Sequence, residues 1–155
     1  MTFREALVND IQQLHEIRIS VKENKLSDPG LISKADYIDF LTNKGKGWVC
    51  DIDGLLVGFS IIDSIHNNIW ALFVRPEFEG KGIGKKLQSL MLDWFFNDHH
   101  STLSLTTAHE SRAEGFYRKY GWKETGKKPN GEIKFEITAD NWNQNHTMCL
   151  KPDGS

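Results

Sequence analysis

Three glycines occupy alternate positions, Gly80, Gly82 and Gly84, with Lys81 between the first two and Lys85-Lys86 directly after the third. They sit in "ALFVRPEFEGKGIGKKL", residues 71 to 87, between an apolar run that stops at Arg75-Pro76 and a segment with helical spacing. Glycine is costly to order and packs nothing, so three of them at one junction need a reason. The chemistry on offer is anion binding. The first N–H groups of a helix lack intrahelical partners and carry the positive end of its dipole, and glycines let a phosphate come close. The plainer alternative is a tight turn with solvated lysines around it.

Spacing separates the known phosphate loops. A P-loop needs GxxxxGK[ST]; five positions after Gly80 stands Lys85, and no Ser or Thr follows. A dinucleotide fingerprint needs GxGxxG; Gly80 and Gly82 comply, but the third position is again Lys85. Other reactive groups are scattered. Cys50 and Cys149 form no CxxC and read as incidental thiols, and adjacent His99-His100 would point apart, so no metal site is expected. A net charge of −2 over 155 residues argues against a nucleic-acid surface. The start, "MTFREALVND", has no apolar signal core and no run approaches a membrane span, so the expectation is a cytoplasmic protein with no membrane contact.

The elements that must position these residues follow from period and punctuation. "TFREAL" reads as a first strand, and Asn9-Asp10 as the cap of a helix with Ile11, Leu14, Ile17 and Val21 on one face. "NKLSDPG" (24 to 30) reads as a loop, and Ser33 with Asp36 as a capping pair for a short helix. Asp53-Gly54 between apolar runs predicts a hairpin, with "IWALFV" (69 to 74) as the next strand. That strand is apolar throughout, so both of its faces should be covered. A helix over 82 to 97 presents Leu87, Leu90, Met91 and Trp94, and "TLSLTT" (102 to 107) is a strand. "SRAEGFYRKY" is helical and stops at Gly121; a hairpin through Pro129-Asn130-Gly131 follows. The expected fold class is α/β: a mixed, mostly antiparallel central sheet of about seven strands with helices on both faces. The expected organisation is one domain over 1 to 138 and a polar, poorly ordered tail over 139 to 155, in which "TMCL" could pair with a sheet edge.

"LFVRPEFEGKGIGKKL" resembles the acetyl-CoA loop of the GNAT N-acetyltransferase superfamily, in which an apolar strand ending near a proline leads into [Q/R]-x-x-G-x-[G/A]. Val74, Pro76, Gly82, Ile83 and Gly84 match, and Glu79 stands where Gln or Arg is usual. "SRAEGFYRKYGW" resembles the family's N-x-x-A-x-x-F-Y-x-x-x-G-[FW] segment through Ala113, Phe116, Tyr117, Gly121 and Trp122, with Glu110 in place of the Asn. The element order matches over roughly residues 2 to 137, and "SVKENKLSDPG" with "GEIKFEI" looks like a bacterial small-molecule-type branch.

The resemblance implies the acyl-CoA N-acyltransferase fold and transfer of an acetyl group from acetyl-CoA to a primary amine by direct attack. It implies that Phe73 and Val74 N–H groups hold the pantetheine arm, that Glu79, Gly80, Lys81, Gly82, Ile83, Gly84 and Lys85 surround the pyrophosphate, and that Tyr117 contacts the cofactor arm and acts as general acid. Phe116 is expected to fill the core beside it. The base is open among Glu23, Asp63, His109 and Glu110. Glu23 is preferred because the first helix and the loop after it wall the acceptor site in the family; Trp70 and Glu23 are the expected substrate contacts. The partner is a small-molecule or peptide amine, and a homodimer is possible in the family. The alternative is a non-catalytic acyl-CoA-binding regulatory domain, kept open by Glu79, Glu110 and a strand without carboxylates.

Overall fold

In a computed structural model of the chain, residues 1–21, 32–99 and 101–143 are described. They fold into two units, Met1–Phe95 and Phe96–Ser155. The first unit carries β1 (Thr2–Glu5), α1 (Ile11–Ser20), α2 (Lys34–Asp39), β2 (Gly45–Ile52), β3 (Leu55–Asp63) and β4 (Asn68–Val74), and α3 (Ile83–Asp98) begins in it. The second carries β5 (Leu103–Thr107), α4 (Arg112–Lys119), β6 (Lys123–Lys127) and β7 (Ile133–Ile137). The fold class is the expected one: α/β, with seven strands, mostly antiparallel, and helices. No helix among the described residues is long and apolar enough to cross a membrane.

In the first unit β1, β2, β3 and β4 are antiparallel neighbours in chain order. The Asp53-Gly54 turn is the expected hairpin: φ is positive at both residues, 51° and 91°, and the Gly54 N–H donates to Asp51 Oδ1 at 2.7 Å. Successive residues of a strand face opposite ways, and β3 uses both directions. Phe59 and Ile61 pack with Ile11, Leu14 and Ile17 of α1 and Tyr37 of α2. Gly58 and Ser60 face α3: a Cβ on Gly58 would lie 3.1 Å from Ile83 Cγ2, Leu87 Cδ1 and Phe73 O, and Ser60 Oγ donates to the Leu87 carbonyl at 3.4 Å. So the doubly covered strand is β3. β4 was expected to be, but only its Ala71 is buried; the rest of the strand is half-exposed. An apolar sequence reports what a strand can bury, not what covers it.

Ser33 and Asp36 form the expected reciprocal cap of α2, with Asp36 N to Ser33 Oγ at 3.2 Å and Ser33 N to Asp36 Oδ2 at 2.8 Å. Asp10 acts differently from the expected cap. It bonds backward, accepting from Leu7 N at 2.8 Å and from both Arg4 Nη atoms at 2.9 and 3.0 Å, which ties β1 to the start of α1. Val21 lies past the end of α1 in extended backbone. On α3 the buried stripe is Ile83, Leu87, Gln88, Met91, Leu92 and Phe95, so Leu90 and Trp94 stand at its margin. The close seat of Ile83 and Leu87 on Gly58 sets that rotation.

In the second unit β7 lies between β5 and β6, antiparallel to both. Beyond β7 the chain does not simply become a polar tail. Thr138 Oγ1 accepts from Asn141 N at 3.2 Å, residues 139 to 143 are helical, and Trp142 is buried. "TMCL" and Cys149 lie outside the described residues; Cys50 is buried in β2.

Two outcomes follow from these contacts. Gly58→Val, which forces a branched side chain between β3 and α3, should destabilise the protein by about 1–3 kcal/mol, read as a lower urea midpoint. The Arg4 guanidinium and the Leu7 N–H hold the Asp10 carboxyl below the usual carboxylate range. Its contribution is therefore present above the unfolded value of about 4 and fades as pH falls through the lower folded value. Asp10→Asn should lower stability at neutral pH and make the acid side of a stability–pH curve shallower.

Candidate active site

The junction after β4 is built in three steps. Arg75 pins the strand end: its N–H donates to Val57 O and its Nε to Leu56 O, both at 2.8 Å. Pro76–Phe78 then makes one short 3-10 turn, closed by Phe78 N to Arg75 O at 2.9 Å. Proline suits this start because its missing N–H would have no partner there. Gly80 and Gly82 follow in left-handed conformation, with φ of 78° and 82°. A Cβ at either would meet nothing within 4 Å, so the backbone angle, not space, requires glycine. Gly84 is different. It is the second residue of α3 and its φ is not positive.

The first helical bond runs from Lys86 N to Gly82 O at 3.1 Å. The N–H groups of the preceding turn, Ile83 to Lys85, therefore have no partner inside α3. Ile83 is buried and anchors this end, while Lys81 and Lys86 are exposed and Lys85 is half-buried. A 16-residue helix presents the positive end of its dipole here. Such a surface suits a pyrophosphate. Glu79 is half-buried at the end of the 3-10 turn, with its backbone N–H on Pro76 O at 3.3 Å.

The backbone of β4 is sorted by its ladder with β3. Arg75 N bonds Val57 O, and the register pairs Val74 with Gly58, Phe73 with Phe59 and Leu72 with Ser60. Hydrogen-bonded and non-bonded pairs alternate in an antiparallel ladder. Phe73 therefore turns its N–H toward Phe59, whereas Leu72 and Val74 turn theirs away from β3. Of the two backbone donors expected from the sequence, Val74 turns its N–H away from β3 and Phe73 does not; Leu72 shares the direction of Val74, which is not legible in one strand. The register shifts at Trp70: Ile61 pairs with Ala71 and Ile62 with Ile69, which leaves Trp70 as the extra residue of a bulge.

Trp70 belongs to an aromatic cluster of the first unit. It stacks on Phe40 at 4.1 Å between centroids and meets Tyr37 edge-on at 5.3 Å. Phe40 starts a π-turn, Phe40–Lys44, that continues α2. The Arg18 guanidinium lies 5.1 Å from the Trp70 ring and 5.0 Å from the Phe73 ring, and His15 Nδ1 is 3.1 Å from the Tyr37 hydroxyl. Arg18, Tyr37, His15 and Phe40 were not singled out in the sequence. Arg18 stands on the same spacing as Leu14 and Ile11 of the apolar face, and an arginine on an apolar stripe was the available signal.

In the second unit Tyr117 is buried against Trp122 at 5.4 Å and Phe135 at 6.2 Å. The helix end sets it there. Tyr120 caps α4, Gly121 follows with φ of 91°, and Trp122 N returns to the Tyr117 carbonyl at 3.0 Å. That is a Schellman ending, whose usual apolar contact is here the Tyr117–Trp122 ring pair. Burial pushes the phenol pKa well above its ordinary value, so the group is a proton donor at neutral pH. Phe116, expected to fill the core, is only half-buried and packs on Tyr120 and Tyr117.

The base candidates separate. Asp63 is committed to the turn after β3: Oδ1 accepts from Ile65 N and His66 N, both at 3.0 Å, and Oδ2 meets His66 Nδ1 at 2.8 Å. His109 and Glu110 sit at the start of α4, where His109 is 3.3 Å from Glu114 and Glu110 N donates to the same carboxylate at 2.7 Å. Glu23 lies outside the described residues. Among the described residues no group of three or more His, Cys, Asp and Glu side chains is placed to hold a metal ion.

Comparison with known proteins gives the family. The acetyltransferase (GNAT) family model matches residues 11–122. An N-acetyltransferase of Archaeoglobus fulgidus, itself uncharacterized, is 30% identical over 133 residues, 76% of this chain and 89% of the relative. The peptidyl-lysine N-acetyltransferase YjaB of Salmonella typhimurium is 38% identical over 76 residues, 46% of this chain and 45% of that protein. The crystal structure of the PaiA N-acetyltransferase of Thermoplasma acidophilum in complex with coenzyme A superposes with a TM-score of 0.74 at 18% identity, covering 88% of this chain and 98% of that one. The chain belongs to the acetyltransferase (GNAT) family and is an acetyl-CoA-dependent N-acetyltransferase.

Proposed function

We propose that the chain moves the acetyl group of acetyl-CoA to a primary amine by direct attack, without an acyl-enzyme. The observation that carries this reading is the junction of β4 with α3. Outward N–H groups at Leu72 and Val74 are followed within ten residues by left-handed Gly80 and Gly82 and an open helix start. The residues fit the parts of acetyl-CoA in order: a neutral arm along half-exposed apolar strand, then a pyrophosphate at helix N–H groups flanked by Lys81 and Lys85.

In the reaction the amine nitrogen forms a bond to the thioester carbon and the carbon–sulfur bond breaks. An outward strand N–H, Val74 or Leu72, donates to the carbonyl oxygen as negative charge develops on it. Tyr117 gives its phenolic proton to the departing sulfur and recovers one, through water, from the nitrogen, which loses its second proton as the amide forms. The amine must shed a proton first, and we assign that step to Glu23, since Asp63 is held by its turn, His109 by Glu114 and the Glu110 carboxylate by His109. Cys50 is buried in β2, with its thiol pKa raised by burial, and has no part in the transfer. The peptidyl-lysine relative keeps a peptide amine among the acceptors to be assayed.

Release of free thiol from acetyl-CoA with a panel of primary amines tests the reading; coenzyme A binding without turnover of any amine would leave a regulatory domain in its place. Tyr117→Phe should lower kcat by about 10²-fold with coenzyme A affinity unchanged. Gly82→Ala must hold a left-handed angle against its Cβ, at about 1–2 kcal/mol, and should weaken coenzyme A binding by about tenfold in calorimetry. Gly84→Ala, inside α3, should leave that affinity within about twofold.

A further inference from the structure

Arg18 has no task in the transfer described above, yet it is only 8% exposed. Its guanidinium lies between the rings of Trp70 and Phe73. Its Nε and Nη1 atoms are buried and have no hydrogen-bond partner among the described residues. An orphaned buried donor costs about 1–3 kcal/mol, and more when it is charged. Arginine does not escape the cost by losing its proton. Of the carboxylates on the described stretch around α1, Glu16 faces Arg75 at 3.7 Å and Asp10 is held by Arg4 at 2.9 Å. A buried cation with two idle donors in an aromatic frame is a binding site for an anionic oxygen.

The position of Arg18 says whose anion it is. Phe73 is flanked by Leu72 and Val74, whose outward N–H groups serve the thioester. The negative groups of acetyl-CoA are its phosphates, assigned to the glycine loop, whereas the arm and the thioester are neutral. An anion beside Phe73 must come from the other substrate. One arginine balances the single charge of a carboxylate and would leave a phosphate only half neutralised. We propose that Arg18 binds a carboxylate of the acceptor, so that the amine acetylated belongs to an amino-carboxylate, free or at a peptide end, and not to a polyamine. This rests on the acetyl-transfer reading and adds the acceptor's chemical class to it.

The test compares matched pairs. Amino acids with the amine α, β or γ to the carboxylate, and short dipeptides, are assayed against their carboxamides, with spermidine as the polyamine. At least one acid should exceed its amide by tenfold or more in kcat/KM, and Arg18→Gln should bring that ratio close to one. Equal use of acids and amides, or a ratio that Arg18→Gln leaves standing, overturns the proposal. Calorimetry of the same acids and amides in the presence of coenzyme A separates the two readings. Acid-selective binding that Arg18→Gln abolishes, without turnover, sustains the carboxylate site and removes acetyl transfer; absence of both turnover and acid-selective binding overturns the site. Arg18→Met guards against a merely structural role. Replacing an unsatisfied buried charge by an apolar chain of similar length should leave Tm equal or higher, and a fall of several degrees would count against a ligand-binding arginine.

Discussion

The close approach of α3 to β3 is the constraint on which the first unit depends. It is permitted by one missing side chain, at Gly58, where even a methyl group would crowd Ile83, Leu87 and the Phe73 carbonyl at 3.1 Å. Because Ile83 is both the first residue of α3 and one of the groups seated there, the same contact fixes where the helix begins. The left-handed pair Gly80 and Gly82 then bridges a short distance, from a strand end pinned by Arg75 to a helix start pinned by Ile83. A loop held at both ends presents its N–H groups without further ordering on binding, which is how preorganisation gains affinity.

β3 and β4 divide the labour. β3 is buried on both faces and carries the core. β4, equally apolar, stays half-exposed, and its bulge at Trp70 turns a ring toward Phe40 and Tyr37. Apolar surface left open beside outward backbone donors is suited to a long, mostly neutral cofactor arm. Apolar surface framed around Arg18 is suited to a substrate that brings its own charge. Neither property is visible from hydropathy, which scores both strands alike.

The second unit positions one phenol by local means. Gly121 allows the chain to reverse, Trp122 returns a hydrogen bond to Tyr117, and the two rings close the turn. The spacing of Tyr117, Gly121 and Trp122 is thus a stop signal for a helix as much as a functional signature. The same burial that holds the ring also keeps its proton in place at neutral pH.

Features closed within a few residues were determined by the sequence itself. Asp53-Gly54 made a hairpin, Ser33 and Asp36 a reciprocal cap, Gly121 a helix end, and Gly80 with Gly82 a left-handed loop, because each depends on φ preferences and hydrogen bonds inside one turn. Features that depend on pairing between distant segments were decided by tertiary structure alone. The direction of the Phe73 and Val74 N–H groups follows from a register with β3, and the burial of β3 rather than β4 from which helices cover them. The rotation of α3 came from Gly58, and the isolation of Arg18 from aromatic rings contributed by a strand some fifty residues away. A local pattern carries its own hydrogen-bond partners; a buried charge, a ladder and a close helix contact borrow theirs from elsewhere in the chain.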